Sequence, residues 1–277
     1  MGEYDLIKYT SEIESSGVSV IGSIREDNQD SIYLPDGQYD SEMGLLFAVA
    51  DGMGGYTHGS VASSLALESL VDALFDRDAP NPRALVNGIE NANIEVYKAA
   101  QRLSAGRMGT TLTAAYILGD MLHLAHIGDS RAYLIRDGRV ACLTSDHTVV
   151  GDMARSKLIA PGKIRTHAQR SVLTKAIGLG LFVQPDIMEH RLREGDRLVL
   201  CSDGAWSVIE DDEFTQVASE LSADAISQNL IELALNRGTD DNVSVVFIHI
   251  QKLASISVDP EPERRDNWLQ KLRKLAR

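Results

Sequence analysis

Leu45 to Ala50 form an unbroken apolar run, LLFAVA, that ends on Asp51 and a glycine-rich stretch, GMGG. Continuous rather than alternating apolar character marks a strand buried on both faces. A carboxylate delivered by such a strand sits at the edge of an apolar interior, where its charge needs compensation. For one Asp-Gly pair taken alone, a tight hairpin turn is the plainer reading.

The pattern recurs, however. LVLCSDG ends at Asp203, LAHIGDS at Asp129, and GTDDN opens the last apolar run with Asp240 and Asp241, while GSIREDNQDSIY runs through Arg25 to Asp30. Strand ends are where side chains from neighbouring strands converge, with glycine supplying backbone freedom. Carboxylates crowded there repel one another, and they take up protons unless a cation compensates them; oxygen ligands suit magnesium or manganese. Zinc fits poorly, because the seven histidines show no spacing such as H-E-x-x-H. Arg25 beside such a cluster suits a phosphate, whose oxygens match the guanidinium fork; taken alone it reads as a surface ion-pair partner.

Other strand-like runs are GVSVIGSI, SIYLP, TTLTAAYILGD, RAYLIRDGRVACLT and NVSVVFIHI. Helical spacing appears at Leu67, Leu70, Val71 and Leu74, and again at Leu85, Ile89, Ala92, Val96 and Leu103. DDEFTQVASEL and SADAISQNLIELALNRG follow near the end, the latter with Ser222 as N-cap and Gly238 as stop. Strands then helices, in two rounds, predict two packed sheets with a helical layer outside each. Residues 148–170, polar with Pro and Gly, read as a flap of short helix and loop inserted between strands. Residues 1–250 are expected to form one domain, and 251–277 a linker and basic amphipathic helix in which Trp268, Leu272 and Leu275 can share a face; that helix reads equally as docked on its own domain or frayed, or as contacting a partner or membrane surface.

The net charge of −13 argues against a nucleic-acid surface. The residues from Gln251 onward carry seven Lys or Arg against four Asp or Glu, so the acidity belongs to the body. No apolar stretch is long enough for a membrane span, the N-terminus lacks a signal-peptide pattern, and Cys142 and Cys201 lie in strand-like runs as expected buried free thiols. A cytoplasmic protein is expected.

GSIREDNQD, AVADGMGG, GTTLTAAY, AHIGDSRAYL, LTSDHTVV, SVLTKAIG, LVLCSDGAWSVI and GTDDNVSVVF occur in an order and spacing that resembles the metal-dependent protein phosphatases, the protein phosphatase 2C group in its bacterial form, over roughly residues 17 to 250. The resemblance implies an α+β fold, a four-layer αββα sandwich of two mainly antiparallel sheets flanked by helices. It implies hydrolysis of phosphoserine and phosphothreonine by a water activated at a binuclear manganese or magnesium centre. Carried over position by position, Asp51 bridges both metals and the Gly52 carbonyl binds one. Asp203 and Asp241 complete the first site, Asp30 sits beside the second, Asp129 holds a weaker third ion, and Arg25 grips the substrate phosphate. Tyr56, Ser60 and Met53 depart from the family pattern, which leaves His58 or a metal-bound water as the proton donor to consider. Lys175 and Ala168 replace an arginine and a flap proline. Phosphorylated proteins, a cognate Ser/Thr kinase among them, are the implied partners of a monomer. Two other readings compete: a catalytically weak phosphoprotein-binding regulator of the same fold, and a calcium-stabilised structural sandwich, which has no use for Arg25.

Overall fold

The computed structural model describes residues 12–35, 43–55, 58–76, 81–104, 106–218 and 222–253. Eleven strands and six helices follow in chain order: β1 (Glu12–Val20), β2 (Asp30–Tyr33), β3 (Leu45–Gly54), α1 (His58–Phe75), α2 (Ala84–Arg102), β4 (Met108–Thr110), β5 (Leu112–Leu118), β6 (Met121–Ile127), β7 (Arg131–Arg136), β8 (Arg139–Cys142), α3 (Val149–Arg155), β9 (Asp186–Arg191), β10 (Arg197–Cys201), α4 (Asp203–Trp206), α5 (Asp211–Val217), α6 (Ala223–Asn236) and β11 (Val243–Lys252). One sheet has the order β1-β11-β10-β7-β8 and the other β2-β3-β5-β6-β9, with β4 on β3. Every strand pairing among the described residues is antiparallel.

The continuous apolar runs follow from the layering. On β3, Leu46, Ala48 and Ala50 face α1 and α2, while Phe47 and Val49 face the other sheet. On β11, Val243, Val245 and Phe247 pack under α6, while Val246, Ile248 and Ile250 enter the core between the sheets. Three apolar cores thus separate four layers, α-β-β-α. The second helix is shorter than its spacing suggested: α2 ends at Arg102, and Leu103 is 49% exposed. On α6, Ser222 accepts from the Ala225 amide as N-cap, and Gly238 takes a left-handed φ of +74° just past the end.

Cys201 is fully buried, but Cys142 is exposed at the end of the edge strand β8, contrary to the expectation for both thiols. Residues 143–185 join β8 to β9. They hold α3, capped by Thr148 Oγ1 on the Gly151 amide (2.9 Å), and a 3-10 turn at Pro161–Lys163. Arg165 in this insertion pairs with Glu210 and Asp211 at the start of α5. The expected C-terminal helix lies outside the described residues.

Candidate active site

The antiparallel register sets Asp30 of β2 directly across from Asp51 of β3. The Asp51 main chain is held on three sides: its amide donates to Thr111 Oγ1 (2.9 Å), and its carbonyl accepts from the Thr111 amide (2.8 Å) and Thr110 Oγ1 (2.9 Å). Thr111 Oγ1 is in turn 2.8 Å from Ser130 Oγ, which ties β3 to the loop carrying Asp129.

The glycine after each acid has a reason other than a hairpin. A Cβ on Gly52 would stand 2.0 Å from the Gly59 carbonyl oxygen and 2.6 Å from that of Gln29. One on Gly204 would stand 2.0 Å from the Asn242 carbonyl oxygen. These glycines let backbones touch, and the second contact draws Asp203, at the start of α4, against the Asp241–Asn242 turn. Among the described residues, the Asp-Gly pair that makes a hairpin is Asp137-Gly138, both with positive φ, between β7 and β8.

Asp51, Asp129, Asp203 and Asp241 line one cleft of about 1080 Å³, together with Arg25, Gly52 and residues 171–173 of the insertion. Asp30 lies behind it, 8% exposed, with Oδ2 accepting from Ser202 Oγ (2.7 Å) and Ser244 Oγ (2.6 Å). Arg25 donates to Asp241 Oδ2 at 2.6 Å. His58 begins α1 beside Gly54 and does not line the cleft; no described histidine does.

Electrostatics set these acids apart from ordinary surface carboxylates. Removal from water, then repulsion by Asp30, Asp203, Asp129 and Asp241, lifts Asp51 well above the usual range. Burial and the charges of Asp129, Asp241 and Asp30 do the same to Asp203. Burial raises Asp129 to about 7, helped by Asp146, and raises Asp30 to about 6 against the two serine hydroxyls. Among the described residues no three His, Cys, Asp or Glu side chains are drawn together closely enough to hold an ion as they stand. Yet Asp203 Oδ1 is buried with no hydrogen-bond partner, an acceptor that a cation would satisfy. The donor set is all oxygen, as magnesium and manganese require.

Several residues that position the site carry no signal of their own in the sequence. Asn242 is the chief one: its Nδ2 donates to the carbonyls of Ile21 (2.8 Å) and Asp27 (2.9 Å), and its Oδ1 accepts from the Gln29 amide (2.9 Å). It therefore clamps the loop that presents Arg25. Trp206 donates to the Asp129 carbonyl (2.8 Å) and lies under the Arg131 guanidinium, 3.6 Å from its ring centre, while Arg131 is held by Asp146. Their nearness in sequence to Asp203 and Asp241 was the only available clue.

Residues 25–235 match the family model for protein phosphatase 2C. The chain is 36% identical over 231 residues to the serine/threonine protein phosphatase PstP of Mycobacterium tuberculosis, covering 83% of this chain but only 43% of PstP. It is 31% identical over 246 residues to protein phosphatase PhpP of Streptococcus pneumoniae, covering 87% of this chain and 98% of PhpP. The solved structure of the PstP catalytic domain in complex with two manganese ions superposes with a TM-score of 0.75 at 32% identity, over 86% of this chain and 97% of that one. Sandwich, acid-lined cleft and sequence agree, and the chain belongs to the protein phosphatase 2C family of enzymes.

Proposed function

We propose that this chain removes phosphate from phosphoserine and phosphothreonine in proteins with two divalent cations, manganese or magnesium, held at the acidic cleft. Asp51 would help hold both ions and the Gly52 carbonyl one of them, Asp203 and Asp241 would complete one site, Asp30 would support the other, and Asp129 would serve a weaker third. Bound there, the cations supply Lewis acidity toward phosphoryl oxygens and lower the pKa of water.

The chain's own residues do the rest. Arg25, beside Asp241 and clamped through Asn242, has guanidinium N–H groups free to bind phosphoryl oxygens, and a positioned donor of this kind stabilises charge that grows in the transition state. Thr110 and Thr111 fix the Asp51 backbone so that its carboxylate does not swing. Since no described side chain at the cleft is a histidine, the leaving alkoxide takes its proton from water rather than from His58. Phosphoproteins and a cognate Ser/Thr kinase are the partners this reading names, for a monomer acting in the cytoplasm.

One observation carries the reading: Asp51, Asp129, Asp203 and Asp241 line a single cleft with Arg25, and Asp203 Oδ1 is buried there without a partner. The manganese ions of the PstP catalytic domain support it. The test is release of phosphate from a phosphothreonine peptide with and without manganese, beside calorimetric titration of manganese into wild type and Asp203→Asn. Metal-dependent release that the substitution abolishes is expected. Tight manganese binding with no release at any pH would favour a phosphoprotein-binding regulator, and a preference for calcium without release would favour a structural sandwich.

A further inference from the structure

Arg107 lines the same cleft as Arg25 yet has no part in the chemistry just described. It follows Gly106, whose φ is +64°, and precedes β4, whose register on β3 pairs Met108 with Gly54, Gly109 with Met53 and Thr110 with Gly52. The Thr111 amide then meets the Asp51 carbonyl. Arg107 therefore stands one residue before that pairing and four residues from the Asp51 contact, at most about 13 Å along the chain. Its side chain is exposed and forms no ion pair or hydrogen bond with any described residue.

The flap side of the cleft adds positive charge. Residues 148–175 carry six Lys or Arg against one Asp, in a chain whose net charge is −13. Arg155, Arg165 and Lys175 are spent on Asp152, Asp211 and Asp186, but Arg170, next to the cleft-lining Ser171, has no ion-pair partner among the described residues. The Arg25 loop bears the opposite sign, since Glu26 and Asp27 line the cleft there. The cleft lining thus carries both signs: Arg107 on one stretch of chain, Glu26 and Asp27 on the Arg25 loop.

We propose that Arg107 forms an anion subsite that binds an acidic group of the substrate, a carboxylate or a second phosphate, close in the chain to the phosphorylated residue. The inference rests on the phosphatase reading above and specifies its substrate class. An extended peptide covers at most 3.3–3.6 Å per residue, so a group roughly two to four positions away reaches Arg107 while the phosphoryl group sits at the acids. The acidic Arg25 loop makes the preference one-sided, because an acid placed toward Glu26 meets repulsion.

The experiment uses the full chain loaded with manganese and a set of phosphothreonine peptides. Flanks are alanine, or Glu two to four residues away on either side, or a second phosphothreonine in those places; p-nitrophenyl phosphate, too small to reach Arg107, reports on the reaction centre. In wild type, acid on one side should raise kcat/KM roughly three- to tenfold through KM, an effect that weakens with salt. Arg107→Gln should erase the difference between flanks, and Arg107→Lys should keep part of it. The two acidic arms then decide whether carboxylate or phosphate is the better ligand. No charge preference in wild type, or a preference that survives Arg107→Gln, would overturn the subsite while phosphate release from the alanine-flanked peptide leaves the phosphatase reading standing. Absence of metal-dependent release from every substrate would instead refute that reading and the subsite with it.

Discussion

Asp203→Asn separates what a site carboxylate does for folding from what it does for reaction. In the fold Asp203 is a liability. Its Oδ1 is buried without a partner, and Asp129, Asp241 and Asp30 all raise the free energy of its charged form. Asparagine leaves a polar atom in the same unpartnered place, so what it relieves is the charge and its repulsion. A buried unpartnered group costs about 1–3 kcal/mol and more when charged, and the low end of that range is the part removed here because the residue keeps some of its surface in water. Asparagine keeps the shape and removes the charge, so in a chelating buffer at neutral pH the variant should be more stable by about 1 kcal/mol. For a chain of this size that is a rise in Tm of about 2–4 °C. With manganese the order should reverse: ligand binding to the native state stabilises wild type by RT ln(1 + [L]/Kd), and the variant loses most of that term. Phosphate release should fall by about a hundredfold or more. Differential scanning fluorimetry in chelator and in manganese, beside the phosphothreonine assay, reads all three. A variant that melts lower than wild type in chelator would show that the Asp203 carboxylate is a native structural partner, and the argument from mutual repulsion would fail.

Three further outcomes follow from the geometry. Gly52→Ala should cost about 1–3 kcal/mol and most of the activity, because its Cβ would meet backbone oxygens of Gly59 and Gln29 that have no rotamer to yield; denaturant melts and turnover of soluble protein check it. Asn242→Ala should raise KM for phosphopeptide more than it lowers manganese affinity, with a stability loss of about 1–3 kcal/mol, since it unhooks three main-chain groups of the Arg25 loop. His126, buried against His147 and held down to about pKa 3, stays neutral in the fold. Its folded pKa is below the unfolded value, so it costs nothing above about pH 6.5, and below that the unfolded state binds the proton that the fold refuses. The stability of wild type relative to His126→Gln should therefore fall by about 1.4 kcal/mol per pH unit from pH 6.5 downward, and a gap independent of pH between 7 and 5 would contradict it.

How far the sequence disclosed this site depends on what kind of force placed each residue. Asp51 and Asp203 were legible because the apolar runs before them read as strands covered on both faces, and the layering bears this out: on β10, Val199 and Cys201 face the helices while Leu198 and Leu200 enter the core between the sheets, as the alternate residues of β3 do. β9 (Asp186–Arg191) was missed for the converse reason. It is an edge strand whose burial alternates, and its residues, DIMEHR, hold only two apolar side chains among four charged or polar ones, so no apolar run announces it. Cys142 misled in the same way, since an edge strand leaves exposed a residue that the run around it would have buried. The Asp-Gly pairs were ambiguous because local preference is satisfied equally by a turn and by a close backbone approach, and only the partner chain segments, Gly59 for Gly52 and Asn242 for Gly204, decide between them. Asn242 itself acts on groups more than two hundred residues away, which no local pattern encodes. Arg107 is the extreme case. An exposed arginine after a glycine carries no signal of its own; what gives it meaning is the register of β4 on β3, which sets a free positive charge near a cluster of negative ones. Placement of charge relative to charge is a property of the fold, and for that reason the reaction class could be read from short motifs while the proposal about the substrate's flanks needs the structure.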